Sequence, residues 1–183
     1  MNEADKNKGF SLIELVVTIA VMGIVVLISV NLYWMIQKAD VESAAENIDS
    51  ALSSLRSKTL SKGNEYMLRI EPDGTNICKV EILEKAVIVN EDGSVTEDSW
   101  KVLQSEKLKG AKVSGSDGAG NDVTIEDGCM IEIQCSKSNG SYTRAEVIKP
   151  DATKINIVRI NISKAERKKV IKLVIPTGRH YID

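Results

Sequence analysis

The sequence predicts an α+β protein: a long N-terminal helix, transmembrane in its first half and amphipathic in its second, packed on a C-terminal antiparallel β-sheet. Three observations carry this. Leu15 to Ile36 holds no charged residue and is rich in Val, Ile and Leu. Beyond it, apolar residues recur at three- and four-residue steps as far as Leu55. After Gly63 the period changes to alternation, punctuated by Gly, Asp and Asn.

The uncharged run is about 22 residues long, enough to cross a bilayer core as a helix. Tyr33 and Trp34 stand at its far end, where amphipathic rings favour the headgroup zone. Lys6 and Lys8 precede it, while Asp40, Glu42, Glu46 and Asp49 follow. That asymmetry predicts a single pass with a cytoplasmic N-terminus and an exported C-terminal portion. A secretory signal peptide would have a shorter core followed by a small-residue cleavage site, and no A-x-A follows here. A buried core helix would need more protein around it than the remaining chain supplies.

From Gln37 the pattern turns amphipathic. Val41, Ala44, Ala45, Ile48, Leu52 and Leu55 form one stripe; Asp40, Ser43, Glu46, Asn47, Ser50, Ser54 and Ser57 fill the other face. Arg56, Lys58 and Lys62 suit the negative end of the helix dipole, and Gly63 offers a cap. A helix from Ser11 to Lys62 would be roughly 75–80 Å long. Its apolar stripe must lie on something.

That something is the alternating remainder. Tyr66–Ile70 and Ile77–Leu83 are joined by Pro72-Asp73-Gly74; Val87–Val89 and Trp100–Leu103 flank Asp92-Gly93. Cys129–Cys135 and Tyr142–Ile148 flank Asn139-Gly140. Asp-Gly and Asn-Gly between alternating runs favour hairpins because both residues tolerate positive φ. Ile155–Ile162 and Val170–Ile175 flank a charged connector. Gly110 to Gly128, rich in Gly and Asp, reads as a mobile loop.

The three cysteines, Cys78, Cys129 and Cys135, are an odd count and exclude a fully paired disulfide framework. Their parity points all three into an apolar face. Cys129 and Cys135 lie too far apart along one strand to bond to each other, about 20 Å. A cross-strand bond from Cys78 to either stays open. No CxxC or Cys/His cluster suggests a metal, and no cofactor is expected.

The stretch Lys8-Gly9-Phe10-Ser11-Leu12-Ile13-Glu14, directly before a membrane-length run, resembles the processing signature of type IV pilins and pseudopilins. The close likeness covers about Lys6 to Ile36, and the helix-plus-sheet plan is pilin-like in outline. The ending Val174-Ile175-Pro176-Thr177-Gly178-Arg179 resembles the last hairpin of minor pseudopilins of the H type. The resemblance implies cleavage between Gly9 and Phe10 by a prepilin peptidase, loss of the leader at residues 1–9 and N-methylation of Phe10. It implies an assembly helix over 10–36, its amphipathic continuation over 37–63, and an extracytoplasmic head over 64–183. Glu14 would pair with the Phe10 ammonium of an adjacent subunit; the local alternative is an intrachain pairing four residues apart. The membrane and other pilin or pseudopilin subunits are the implied partners. The expected role is a structural subunit of a type IV pilus or a type II secretion-like pseudopilus. Many major pilins carry a proline in this helix, and here none precedes Pro72, so a straighter helix is expected and major versus minor stays open, with a minor subunit the preferred reading.

Other classes fit less well. His180 is the single histidine, read as a solvated terminal residue, and no G-x-S-x-G, H-E-x-x-H or Walker pattern occurs, so an enzyme is not expected. Asp117, Asp122, Glu126 and Asp127 lack the spacing of a calcium loop. Lys164, Arg167, Lys168, Lys169 and Lys172 are the one candidate nucleic-acid patch, as in a DNA-uptake pilin. They lack interleaved aromatics and read as a solvated connector. A single-pass sensor or adhesive ectodomain would share the anchor but have no use for Gly9-Phe10 or Glu14.

Overall fold

The computed structural model describes residues 11–62, 64–74, 77–89, 95–108 and 110–183. The leader and expected cut at Gly9–Phe10, the cap at Gly63 and the Asp92-Gly93 turn lie outside them. The chain forms two compact units, Met1–Ile36 and Gln37–Asp183, and helix α1 (Leu12–Lys62) contributes to both.

In the first unit, α1 is apolar on every side. Leu12, Val16, Ile19, Ile24, Leu27 and Leu32 are all more than half exposed. It is a helix long and apolar enough to cross a membrane.

In the second unit the stripe Val41, Ala44, Ala45, Ile48, Leu52 and Leu55 is buried, joined by Ala51. Fully burying a Leu or Ile side chain contributes about 1.5–3 kcal/mol, so this stripe fastens the helix to the sheets. Thr59 is also buried, and its hydroxyl donates to the Leu55 carbonyl at 2.8 Å, so it enters the stripe without an unmet donor.

Among the described residues, eleven strands follow in chain order: β1 (Tyr66–Pro72), β2 (Cys78–Val89), β3 (Val95–Leu108), β4 (Lys112–Ser116), β5 (Asp122–Thr124), β6 (Met130–Cys135), β7 (Tyr142–Ile148), β8 (Lys154–Asn156), β9 (Arg159–Lys164), β10 (Arg167–Val174) and β11 (Arg179–Ile182). All their pairings are antiparallel. Instead of the single expected sheet there are two, ordered β3-β2-β1-β6-β7-β8 and β11-β10-β9-β4-β5. The run Ile155–Ile162, which alternates as one strand, divides between them. Ile157 N–H donates to Ala145 of the first sheet and Val158 N–H to Ser116 of the second. The chain changes sheets there.

Cross-strand rows explain which face of the larger sheet is buried. Leu68 lies opposite Ile82 and Ile133, and Ile70 opposite Val80 and Ile131, all in the core. On the other face Arg69 lies opposite Glu81 and Glu132, and Glu132 opposite Glu146. Two carboxylates facing each other repel. Arg144 bridges them at 3.3 Å to each, and Arg69 holds Glu132 at 2.9 Å.

The expected loop over Gly110 to Gly128 is overturned: it forms the β4–β5 hairpin of the smaller sheet, with Ala111, Val113 and Ile125 buried. Two things disguise it in the sequence. Asp117 builds the turn with its own carboxylate, accepting from Ala119 N–H at 2.8 Å and Asn121 N–H at 3.2 Å. Gly115 is glycine because a Cβ there would lie 2.5 Å from Val147 Cγ2 of the larger sheet. The sheets meet closely at that point.

Candidate functional site

In the first unit, Ser11 caps α1. Its carbonyl accepts from Leu15 N–H at 3.2 Å, and its own N–H donates to Glu14 Oε2 at 3.0 Å. This is half of a capping box, and the S-x-x-E spacing that announces it stands in the sequence. Glu14 therefore has a backbone partner in the isolated chain, between Leu12, Ile13 and Leu15, all exposed. Three other polar side chains of this stretch also turn inward on their own helix. Thr18 donates to Leu15, Ser29 to Val25 and Asn31 to Leu27, at 2.8–3.0 Å. Such back-bonding meets the hydrogen-bonding needs of these groups without water, as a lipid environment requires.

Residues 5–30, the stretch containing this cap, match the family model described as the prokaryotic N-terminal methylation motif. The chain carries the type IV pilin and pseudopilin signature. No curated protein and no solved structure matches the chain. The motif supports a pilin-like precursor, and proteins bearing it are structural subunits. It implies processing by a prepilin peptidase and assembly with other pilins, and with the apolar helix it supports membrane anchoring. Gly9 and Phe10 fall inside the motif but outside the described residues.

The second unit of this pilin-like chain places the remaining candidates. The expectation of a solvated His180 is overturned. The residue is half-buried, with Nδ1 2.9 Å from the Tyr142 hydroxyl and Nε2 3.2 Å from Asp49 Oδ1. Ser53 Oγ lies 3.4 Å from the same Nε2. Because serine and aspartate share one ring nitrogen, the imidazole has no free path to pass a proton between them, and the trio is no hydrolytic relay. With the Nε2 proton toward Asp49, Nδ1 accepts from Tyr142. Burial pushes the Tyr142 hydroxyl well above its ordinary value, which keeps it a donor. His180 thus ties the last strand to the helix and to β7.

The final hairpin forms where the H-type likeness placed it, with Val174 opposite Arg179. Gly178 in its turn has φ +64, and a Cβ there would collide with the Gly140 carbonyl. Cys78, Cys129 and Cys135 are all free thiols, so the Cys78 bond left open is not made. Cys78 and Cys135 are buried, and Cys129 packs against the core. In the basic cluster, Lys164 is not simply solvated: it reaches Asp40 of the helix at 2.5 Å. Lys172 pairs with Asp183. Among the described residues, no group of three or more His, Cys, Asp and Glu side chains is arranged to hold a metal.

Proposed function

We propose that this chain is a prepilin-type structural subunit of a type IV pilus or a type II secretion-like pseudopilus, a minor subunit in preference to a major one. Its N-terminus faces the cytoplasm and its head lies outside. A prepilin peptidase cuts between Gly9 and Phe10, and Phe10 is then N-methylated. The observation that carries this reading is the methylation motif set directly on a helix that is apolar all round.

Glu14 is the assembly residue in this account. A carboxylate in a membrane helix costs about 2.5–3.5 kcal/mol on insertion scales, and one backbone N–H meets only part of its acceptor capacity. Cleavage creates an ammonium on Phe10. Pairing of that ammonium with Glu14 of a neighbour neutralises both charges and fixes axial register while the apolar helices bundle. Glu14→Ala should insert into the membrane at least as well and be processed normally, yet enter filaments poorly. Normal incorporation of that variant would remove the proposed role.

A further inference from the structure

In the second unit, α1 and β11 enclose a groove of about 660 Å³ whose walls include Asp49, Ser53, Arg56, Leu60, Arg179 and Tyr181. Its one acid, Asp49, is engaged by His180. Among the described residues, no acid pairs with its two arginines. Arg56 Nε is buried without a hydrogen-bond partner, and the Arg179 side chain makes no hydrogen bond or ion pair among the described residues. Gly140 covers that Nε, whereas the Arg179 guanidinium is exposed, and carboxylate oxygens are its best complement. Leu60 and Tyr181, each about half exposed, add apolar wall. Arginine and tyrosine together are the composition of an interface core.

A matching occupant exists on the same chain. Cys129 N–H donates to the Glu126 carbonyl at 2.8 Å, closing a tight turn with Gly128 at φ +82. Glu126 and Asp127 project from it, exposed and without an ion pair among the described residues. Turn and groove lie at opposite ends of the head. Strand β6 starts at Met130, just past the turn, and runs to Cys135, about 17 Å further on. The loop after Cys135 sets Gly140 against Arg56. The helix agrees. Ala111 shares a cavity wall with Asp127, and its neighbour Gly110 abuts Asp40, which precedes Arg56 by about 24 Å of helix.

We propose that this groove receives the Glu126–Asp127 turn of a second copy of the chain, head to tail. An acidic knob at one end and a basic socket at the other make a heterologous contact, which extends as an open array when repeated. The inference rests on the assembly proposed above.

The test uses the full chain in membranes with its processing enzyme, as a mixture of isotopically light and heavy copies. Arg179→Lys keeps the charge and supplies an amine that a carbodiimide couples to a touching carboxylate, with loss of water. The expected product is a mixed light–heavy peptide joining position 179 to Glu126 or Asp127. In a second arm, Arg179→Glu lowers recovery in sedimented assemblies about tenfold. Adding Glu126→Arg and Asp127→Arg restores it. Coupling of position 179 to another protein or another segment, or failure of the reversed pair to restore recovery, overturns the contact while leaving assembly through the helix intact. If the unsubstituted chain enters no assembly even when the other pilin subunits of its filament are supplied, the contact and the proposed function fall together.

Discussion

The Tyr142 hydroxyl meets His180 Nδ1 at 2.9 Å, joining β7 to the last strand across 38 residues of sequence. The same ring reaches Asp49 on the helix at 3.2 Å. Removing it strands a buried hydroxyl. His180→Ala should destabilise the head by about 1–3 kcal/mol, whereas Ser53→Ala, at the long 3.4 Å contact, should change it little. Thermal unfolding of the full chain in detergent, followed by near-ultraviolet circular dichroism, measures both.

The two halves of α1 should respond differently to one kind of truncation. Leu52 is fully buried and Leu27 is 68 % exposed. Leu52→Ala should cost about 2–5 kcal/mol of head stability, while Leu27→Ala leaves it unchanged. Urea midpoints of the full-length variants decide this.

Much of this division is legible in the sequence. The apolar run and the later three–four stripe give α1 its bounds and its buried face, because both depend on local periodicity alone. The second sheet is not legible. Ile157 and Val158 continue the alternation of their neighbours while passing the chain from one sheet to the other. Gly115 and Asp117 look like loop residues because one is small for packing and the other folds its own turn. His180 looks idle because Asp49 and Tyr142 lie far from it along the chain. At Glu14 the cap with Ser11 is written in the sequence, but a bond between subunits is not something one chain displays.

Gly115 tests the close approach of the sheets. Gly115→Val would drive side-chain atoms into Val147 and Ile157. It should cost about 1–3 kcal/mol, and Gly120→Ala, where a Cβ meets nothing within 4 Å, should cost less despite its φ of +108. The same urea titration compares them.

The thiols predict an alkaline response. Burial pushes Cys135 up from 9.0 to about 11, with Arg56 opposing, and it raises Cys78 as well. Between about pH 9 and 11 the unfolded chain has released the Cys135 proton and the folded chain has not. Stability contributed by the neutral buried thiol therefore falls as pH rises through that window. Iodoacetamide at pH 8 should modify Cys129 first, with Cys78 and Cys135 reacting only on unfolding. Peptide mapping reads the order.

The most direct test of the whole account is the mass of the mature N-terminus, taken from chain purified out of membranes that contain a prepilin peptidase. A first residue of N-methylated Phe10 is the result the account predicts. A chain that still begins at Met1 under those conditions would contradict it.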